Sequence, residues 1–232
     1  MSKRHYLSCF VVFVVLAFNA AARDAAPEPY ALTNPIALAR LLPPPPAPDT
    51  PAGKADLDAV LAAQRARSAA DAAAAQADAE ATVFRFADVL GEGFTAQKLP
   101  QTARLFARLT KTIGPTVNPA KEHWHRARPF VTSSAVEPLS RPDGDTYPSG
   151  HGALARLYAI VLADLVPGKR DAIFVRAGRF AWNRVVNGVH YPTDVESGAI
   201  AGTLIAQALQ SDVAFRADFT AAQRELAAAG LH

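Results

Sequence analysis

Tyr147-Pro148-Ser149-Gly150-His151-Gly152-Ala153-Leu154-Ala155-Arg156-Leu157-Tyr158-Ala159-Ile160-Val161-Leu162-Ala163-Asp164-Leu165 begins in turn-forming residues and continues as an apolar run. That pattern predicts a helix from about Pro148 to Leu165, because the N–H that proline lacks is unpaired at a first helical position anyway. Two further helices are predicted, from about Lys169 to Val186 and from about Pro192 to Leu209, with a shorter one near Thr220 to Ala229. Arg156, Asp164, Glu196 and Gln207 interrupt these runs, and none reaches the length needed to cross a membrane. Between them and the N-terminal half, Pro129 to Tyr147 reads as a loop rich in Ser, Pro, Asp and Gly.

Upstream, apolar residues recur at helical spacing: Leu57, Val60 and Leu61; Val83, Phe84, Phe86, Val89 and Leu90; Leu105, Phe106, Leu109 and Ile113. Gly91, Gly93, Pro100 and Gly114-Pro115 are read as breaks between these helices. Alanine dominates residues 55–81 and β-branched residues are sparse, so the chain reads as all-α. Residues 23–53 are proline-rich, with Pro43 to Pro46 consecutive, and are expected to form an extended arm, Leu41 and Leu42 hinting that it docks.

Residues 1–22 have the anatomy of a signal peptide: Lys3, Arg4 and His5, an apolar stretch from Tyr6 to Phe18, then Ala20-Ala21-Ala22. The expected product is periplasmic or secreted, with a domain over residues 54–232 following the arm. The single cysteine, Cys9, falls in the leader, so the mature chain has no disulfide. Lys3 and Arg4 are two of 24 basic residues, and their removal leaves 22 against 21 acidic ones. Such near-neutrality argues against a broad nucleic-acid or membrane-surface footprint.

Three fragments carry chemistry. They are Lys121 followed after six residues by Arg128-Pro129; Pro148-Ser149-Gly150-His151; and Asn183-Arg184, five residues, His190, three residues, Asp194. A phosphate monoester spreads its charge over several oxygens, so its cleavage needs a cationic clamp, an in-line nucleophile and a proton donor. Lys121, Arg128 and Arg184 supply cations, the arginines in bidentate geometry. Ser149 and the Gly150 backbone lie at a helix N-terminus, which favours anions.

In order and spacing these fragments resemble the tripartite signature of the PAP2 superfamily, in particular the bacterial class A non-specific acid phosphatases. The one departure is Asn183, where the family pattern has Ser. The resemblance implies a helical bundle core and a metal-independent phosphatase of broad specificity without a cofactor. It implies that His190 attacks phosphorus to form a phosphohistidine, Asp194 orients His190, and His151 protonates the leaving oxygen and then activates water. An imidazolium donor at His151 gives an acidic optimum. Small phosphate monoesters are the implied partners, and a homo-oligomer is a further implication. His123 and His125 look like a His-x-His metal pair but lack a nearby carboxylate or Cys cluster in sequence.

Alternatives are a vanadium haloperoxidase, whose vanadate mimics the phosphorus transition state at the position of His190, a lipid-phosphate phosphatase, and a non-catalytic phosphate-binding protein. The first is usually a much larger enzyme, the second is typically polytopic, and the third would tolerate loss of a histidine or Asp194, all of which are present here.

Overall fold

The computed structural model describes residues 27–231, and the expected signal peptide, with Cys9, lies outside them. Among the described residues the structure is all-α, with no strand. The longer helices are α1 (Pro51–Ala66), α2 (Ala69–Ala77), α3 (Pro100–Trp124), α4 (Gly150–Leu165), α5 (Arg170–Val186), α6 (Pro192–Leu209) and α7 (Val213–Ala228). Short helical turns occur at Leu38–Leu41, Val83–Phe86, Ala87–Leu90, Pro129–Thr132 and Pro167–Lys169.

Helix α4 is the axis of the bundle. Almost all of its residues from Gly152 to Leu165 are buried, as expected of a helix apolar on nearly every side. Helices α5 and α6 pack most extensively against it, while α3 and α7 close another side. The α4–α6 crossing is tight because glycines line it: a Cβ on Gly202 would lie 2.3 Å from the Ala153 carbonyl oxygen, and one on Gly198 would lie 2.4 Å from that of Ser149. This close approach brings the N-terminus of α4 against the first turn of α6, where the Ser149 N–H donates to the Asp194 carbonyl oxygen at 2.9 Å.

Helix α4 starts two residues later than the proline suggested, because Ser149 is its N-cap and accepts from the Gly152 N–H at 3.1 Å. Helix α7 starts earlier than expected, at Val213, where the Asp212 side chain caps the Phe215 N–H. The expected break at Gly114-Pro115 is absent, and α3 continues through both Pro115 and Pro119. Both prolines are exposed, so the carbonyls they leave unpaired lie on the solvent side. The opposite face, including Leu105, Phe106, Leu109, Ile113 and Val117, is buried in the core and holds the helix together.

The alanine-rich stretch is two helices, interrupted at Arg67-Ser68, where Ser68 and Asp71 form a reciprocal capping box. Helix α1 begins at Pro51, inside the stretch read as extended arm, because Thr50 caps it and proline sits at its first position. The preceding residues run along the bundle and contain the turn Leu38–Leu41. Leu42 is buried there, whereas Leu41 is 58% exposed. Tyr30 anchors this stretch: its ring lies under the Arg108 guanidinium at 3.9 Å and its hydroxyl donates to Asp218 at 2.8 Å.

Gly202→Ala forces α4 and α6 apart. The expected cost is about 1–3 kcal/mol, read as a lower urea or thermal midpoint; an unchanged midpoint contradicts the close crossing.

Candidate active site

The three sequence fragments converge where the C-terminal end of α3, the N-terminus of α4, the C-terminal end of α5 and the start of α6 meet. Lys121, in the last turn of α3, donates from Nζ to the Asp145 carbonyl oxygen at 2.6 Å. Arg128 is buried and donates to three carbonyls, those of Gly144 (2.9 Å), Val189 (2.9 Å) and Asp143 (3.0 Å). Three of its five N–H groups therefore hold loops, leaving two for a ligand. Arg184, in the last turn of α5, is buried with Nε and Nη1 unpaired.

These cations feel one another. Burial first, and then the Arg128 charge, bring Lys121 down to about 8 and Arg184 down to about 10. Burial also lowers Arg128. A desolvated cluster of like charges with an unpaired guanidinium is an arrangement that an anion relieves. The N-terminus of α4 adds its dipole and the first N–H groups of the helix, which have no intrahelical acceptor. Ser149 is fully buried, and its oxygen accepts from Gly152 while its hydroxyl proton stays available.

His190 is buried, and its Nδ1 lies 2.7 Å from Thr146 Oγ1 and 3.3 Å from Asp194 Oδ2. Asp194 is the third residue of α6, and its Oδ2 accepts from the Tyr191 N–H at 2.8 Å and from Thr146 Oγ1 at 2.6 Å. Burial alone would raise the Asp194 carboxyl, but His190, Arg126 and the Thr146 hydroxyl outweigh it and hold the group below its usual range. Burial lowers His190 to about 3 despite the carboxylate, so the ring is neutral and keeps a lone pair down to strongly acidic pH. With Nδ1 engaged, Nε2 is the nitrogen left to react.

His151 is oriented differently. Its Nε2 is 3.1 Å from the Ala79 carbonyl oxygen and its ring stacks on Phe180 with centroids 5.9 Å apart. That carbonyl can only accept, so Nε2 carries a proton and Nδ1 is the nitrogen available to the pocket. Burial and then the Arg184 charge lower His151 to about 4. The ring is therefore neutral in the empty site at mildly acidic pH, and the imidazolium expected from sequence requires an anion beside it.

Asn183, the one departure from the family pattern, donates to Asp78 Oδ2 at 2.8 Å. Asp78, capping the end of α2, also receives both terminal nitrogens of Arg176 and the Nε of Arg85. His123 and His125 diverge: His123 packs edge-on against Trp124, and His125 pairs with the Asp145 carboxylate at 3.0 Å. That carboxylate, twenty residues along the chain, meets His125. Among the described residues no group of three or more His, Cys, Asp or Glu is placed to hold a metal ion.

Sequence reading passed over Thr146, Arg126 and Asp56. Arg126 donates to Asp194 Oδ1 at 2.6 Å, Thr193 Oγ1 at 2.8 Å and Asp56 Oδ2 at 2.7 Å. Asp56 is buried on α1 and also accepts from the Thr193 hydroxyl and from the Thr193 N–H at 3.2 Å. Thr146 and Arg126 stand beside motif residues, a signal that proximity could have supplied. Asp56, in the alanine-rich helix, carries none.

Two histidines and a cluster of desolvated cations thus come together where the ends of α3, α4, α5 and α6 meet. Residues 105–217 match the family model of the PAP2 superfamily, and over this segment the chain resembles that superfamily. It is 33% identical over 148 residues to an acid phosphatase of Zymomonas mobilis, a match covering 61% of this chain and 55% of that protein. The chain thus spans about half of that relative. It is 29% identical to a non-specific acid phosphatase of Salmonella typhi over 97% of this chain and 93% of that one. The fold is also that of a bacterial vanadium-dependent iodoperoxidase, with a TM-score of 0.60 at 17% identity over 80% of this chain and 55% of the other.

Arg184→Met removes a buried, unpaired charge. In phosphate-free buffer the variant is expected to be more stable than the parent by about 1 kcal/mol, or roughly 2–4 °C in Tm. The stabilisation that added phosphate gives the parent should be lost with it. A variant that melts lower yet keeps the full response to phosphate contradicts the assignment of Arg184 to the anion pocket.

Proposed function

We propose that the protein is an acid phosphatase of the class A non-specific kind, hydrolysing small phosphate monoesters of varied leaving group through a phosphohistidine on His190. The observation that carries this reading is a neutral His190, its Nδ1 held, within reach of the Lys121 and Arg128 charges, with Arg128 in turn acting on a buried Arg184 unpaired at Nε and Nη1. Lys121, Arg128, Arg184, the Ser149 hydroxyl and the Gly150 backbone bind the phosphoryl oxygens. They supply positive charge that strengthens as charge develops in the transition state.

Nε2 of His190 attacks phosphorus as the bond to the ester oxygen breaks, and His151 gives that oxygen a proton from Nδ1. Asp194, kept ionised, stabilises the charge that develops on the His190 ring. Water then attacks phosphorus as its bond to Nε2 of His190 breaks, passing a proton to His151 Nδ1, and inorganic phosphate leaves with both histidines restored. Export through residues 1–22, absence of a metal requirement and assembly into a homo-oligomer belong to the same reading.

The first test is p-nitrophenyl phosphate hydrolysis in EDTA by residues 23–232, with His190→Ala alongside. Activity in EDTA that falls by about three orders of magnitude or more in the variant supports the reading. A wild-type protein that binds phosphate but hydrolyses no ester of a broad panel overturns it.

The pH profile tests His151 separately. Its free-site value of about 4 is set by burial and Arg184, and a bound phosphate ester opposes that charge and raises it. Since the general acid must be protonated, activity is lost as pH rises through its pKa. The alkaline limb of kcat, which reports the bound state, is therefore expected at higher pH than the His151 limb of kcat/KM. The reverse order contradicts His151 as the proton donor.

A further inference from the structure

We propose that Thr146 is a positioning residue for the nucleophile: its hydroxyl relays between His190 and Asp194 and so fixes which ring nitrogen of His190 carries the proton. The inference rests on the reading of His190 as nucleophile. It starts from a difference in distance, because Nδ1 of His190 is 2.7 Å from Thr146 Oγ1 but 3.3 Å from Asp194 Oδ2. Thr146 Oγ1 is in turn 2.6 Å from the same carboxylate oxygen. The short path from histidine to carboxylate runs through the hydroxyl.

A hydroxyl has one proton to give, and an ionised carboxylate can only accept. With Asp194 ionised, Thr146 must donate to Asp194 and can only accept from His190. Nδ1 then carries the hydrogen and Nε2 the lone pair. The direction of this chain depends on charge. If Asp194 were protonated, it could donate to Thr146, the hydroxyl could turn toward Nδ1, and the proton of the neutral ring would move to Nε2, leaving no lone pair to attack with.

Burial pushes Asp194 toward that protonated state, and Arg126 is among the groups that oppose it. Arg126 is a second positioning residue, bonded to Asp194 Oδ1 at 2.6 Å and fixed by Asp56 at 2.7 Å, with its guanidinium 4.1 Å from the centre of the Tyr191 ring. Neither residue reaches the reacting atoms except through Asp194 or His190. Thr146 is fully buried, and its hydroxyl makes no other hydrogen bond than a longer one of 3.4 Å to the Val189 carbonyl. The relay thus accounts for a hydroxyl at this buried position.

The experiment compares Thr146→Val, which keeps the shape and removes the hydroxyl, with Thr146→Ser, which restores it. Wild type and His190→Ala are the controls, and thermal denaturation confirms that each variant is folded. Thr146→Val is expected to lower kcat by about ten- to a hundredfold with KM changed by less than about threefold, and Thr146→Ser to recover most of kcat. If wild type is active, His190→Ala is inactive and Thr146→Val matches wild type, the relay is wrong while the phosphatase reading stands.

A second readout needs no activity. In 15N-histidine spectra near neutral pH, the His190 ring, assigned by difference from His190→Ala, is expected to be protonated at Nδ1 in wild type and in Thr146→Ser. It should become a mixture of tautomers in Thr146→Val. The same tautomer in all three overturns the proposal, whether or not any of them hydrolyses phosphate.

Discussion

The Asp194 carboxylate, fully buried, accepts from Arg126 on one oxygen and from Thr146 and the Tyr191 N–H on the other, with His190 at the edge of bonding distance. Its backbone carbonyl meanwhile accepts from Ser149, at the N-cap of α4. One residue thereby ties the loop bearing His190, the segment after α3, and the N-termini of the two closely packed helices. A buried carboxylate is costly unless every lone pair is used. The density of donors around Asp194 meets that condition and locks the site to the bundle at the same time. Asp56 extends the network to α1 through Arg126, so even the alanine-rich segment has a part in positioning the chemistry.

The same site is under electrostatic tension elsewhere. Lys121, Arg128 and Arg184 are withdrawn from water, each with its acidity raised by burial, and Arg184 lacks a partner on two nitrogens. Both histidines are pushed toward the neutral form. Such an arrangement lowers the stability of the empty protein and is relieved by a bound anion. Neutral histidines avoid adding further positive charge until the ligand arrives, when an imidazolium at His151 becomes favourable. On the proposed mechanism, binding and proton donation are then linked by one field.

Much of this was legible in the sequence where the signal is local. The apolar period of α4, α5 and α6 was readable because each is long and packs against neighbours on a wide face, and Pro192 marks the start of α6 correctly. The break expected at Gly114-Pro115 failed because helix propensity counts the proline but not the buried face that holds α3 together. The motif residues were readable by spacing, and the structure brings them to one place. Their supports were not: Asp56 and Arg126 are 70 residues apart, Thr146 and Asp194 are 48 apart, and Asn183 meets Asp78 across 105. Pairings at such separations leave no periodic trace in one chain.

On the proposed mechanism the phosphoryl group is transferred to a nitrogen of His190 before it reaches water. The most direct measurement is to quench the enzyme with alkali during turnover of a phosphate monoester, digest it, and locate any added phosphoryl group by mass spectrometry, since phosphohistidine survives base. One phosphoryl group is expected on the peptide containing His190, absent when substrate is omitted. Hydrolysis that proceeds at full rate with no phosphoryl group on that peptide, or with the group on another residue, would contradict it.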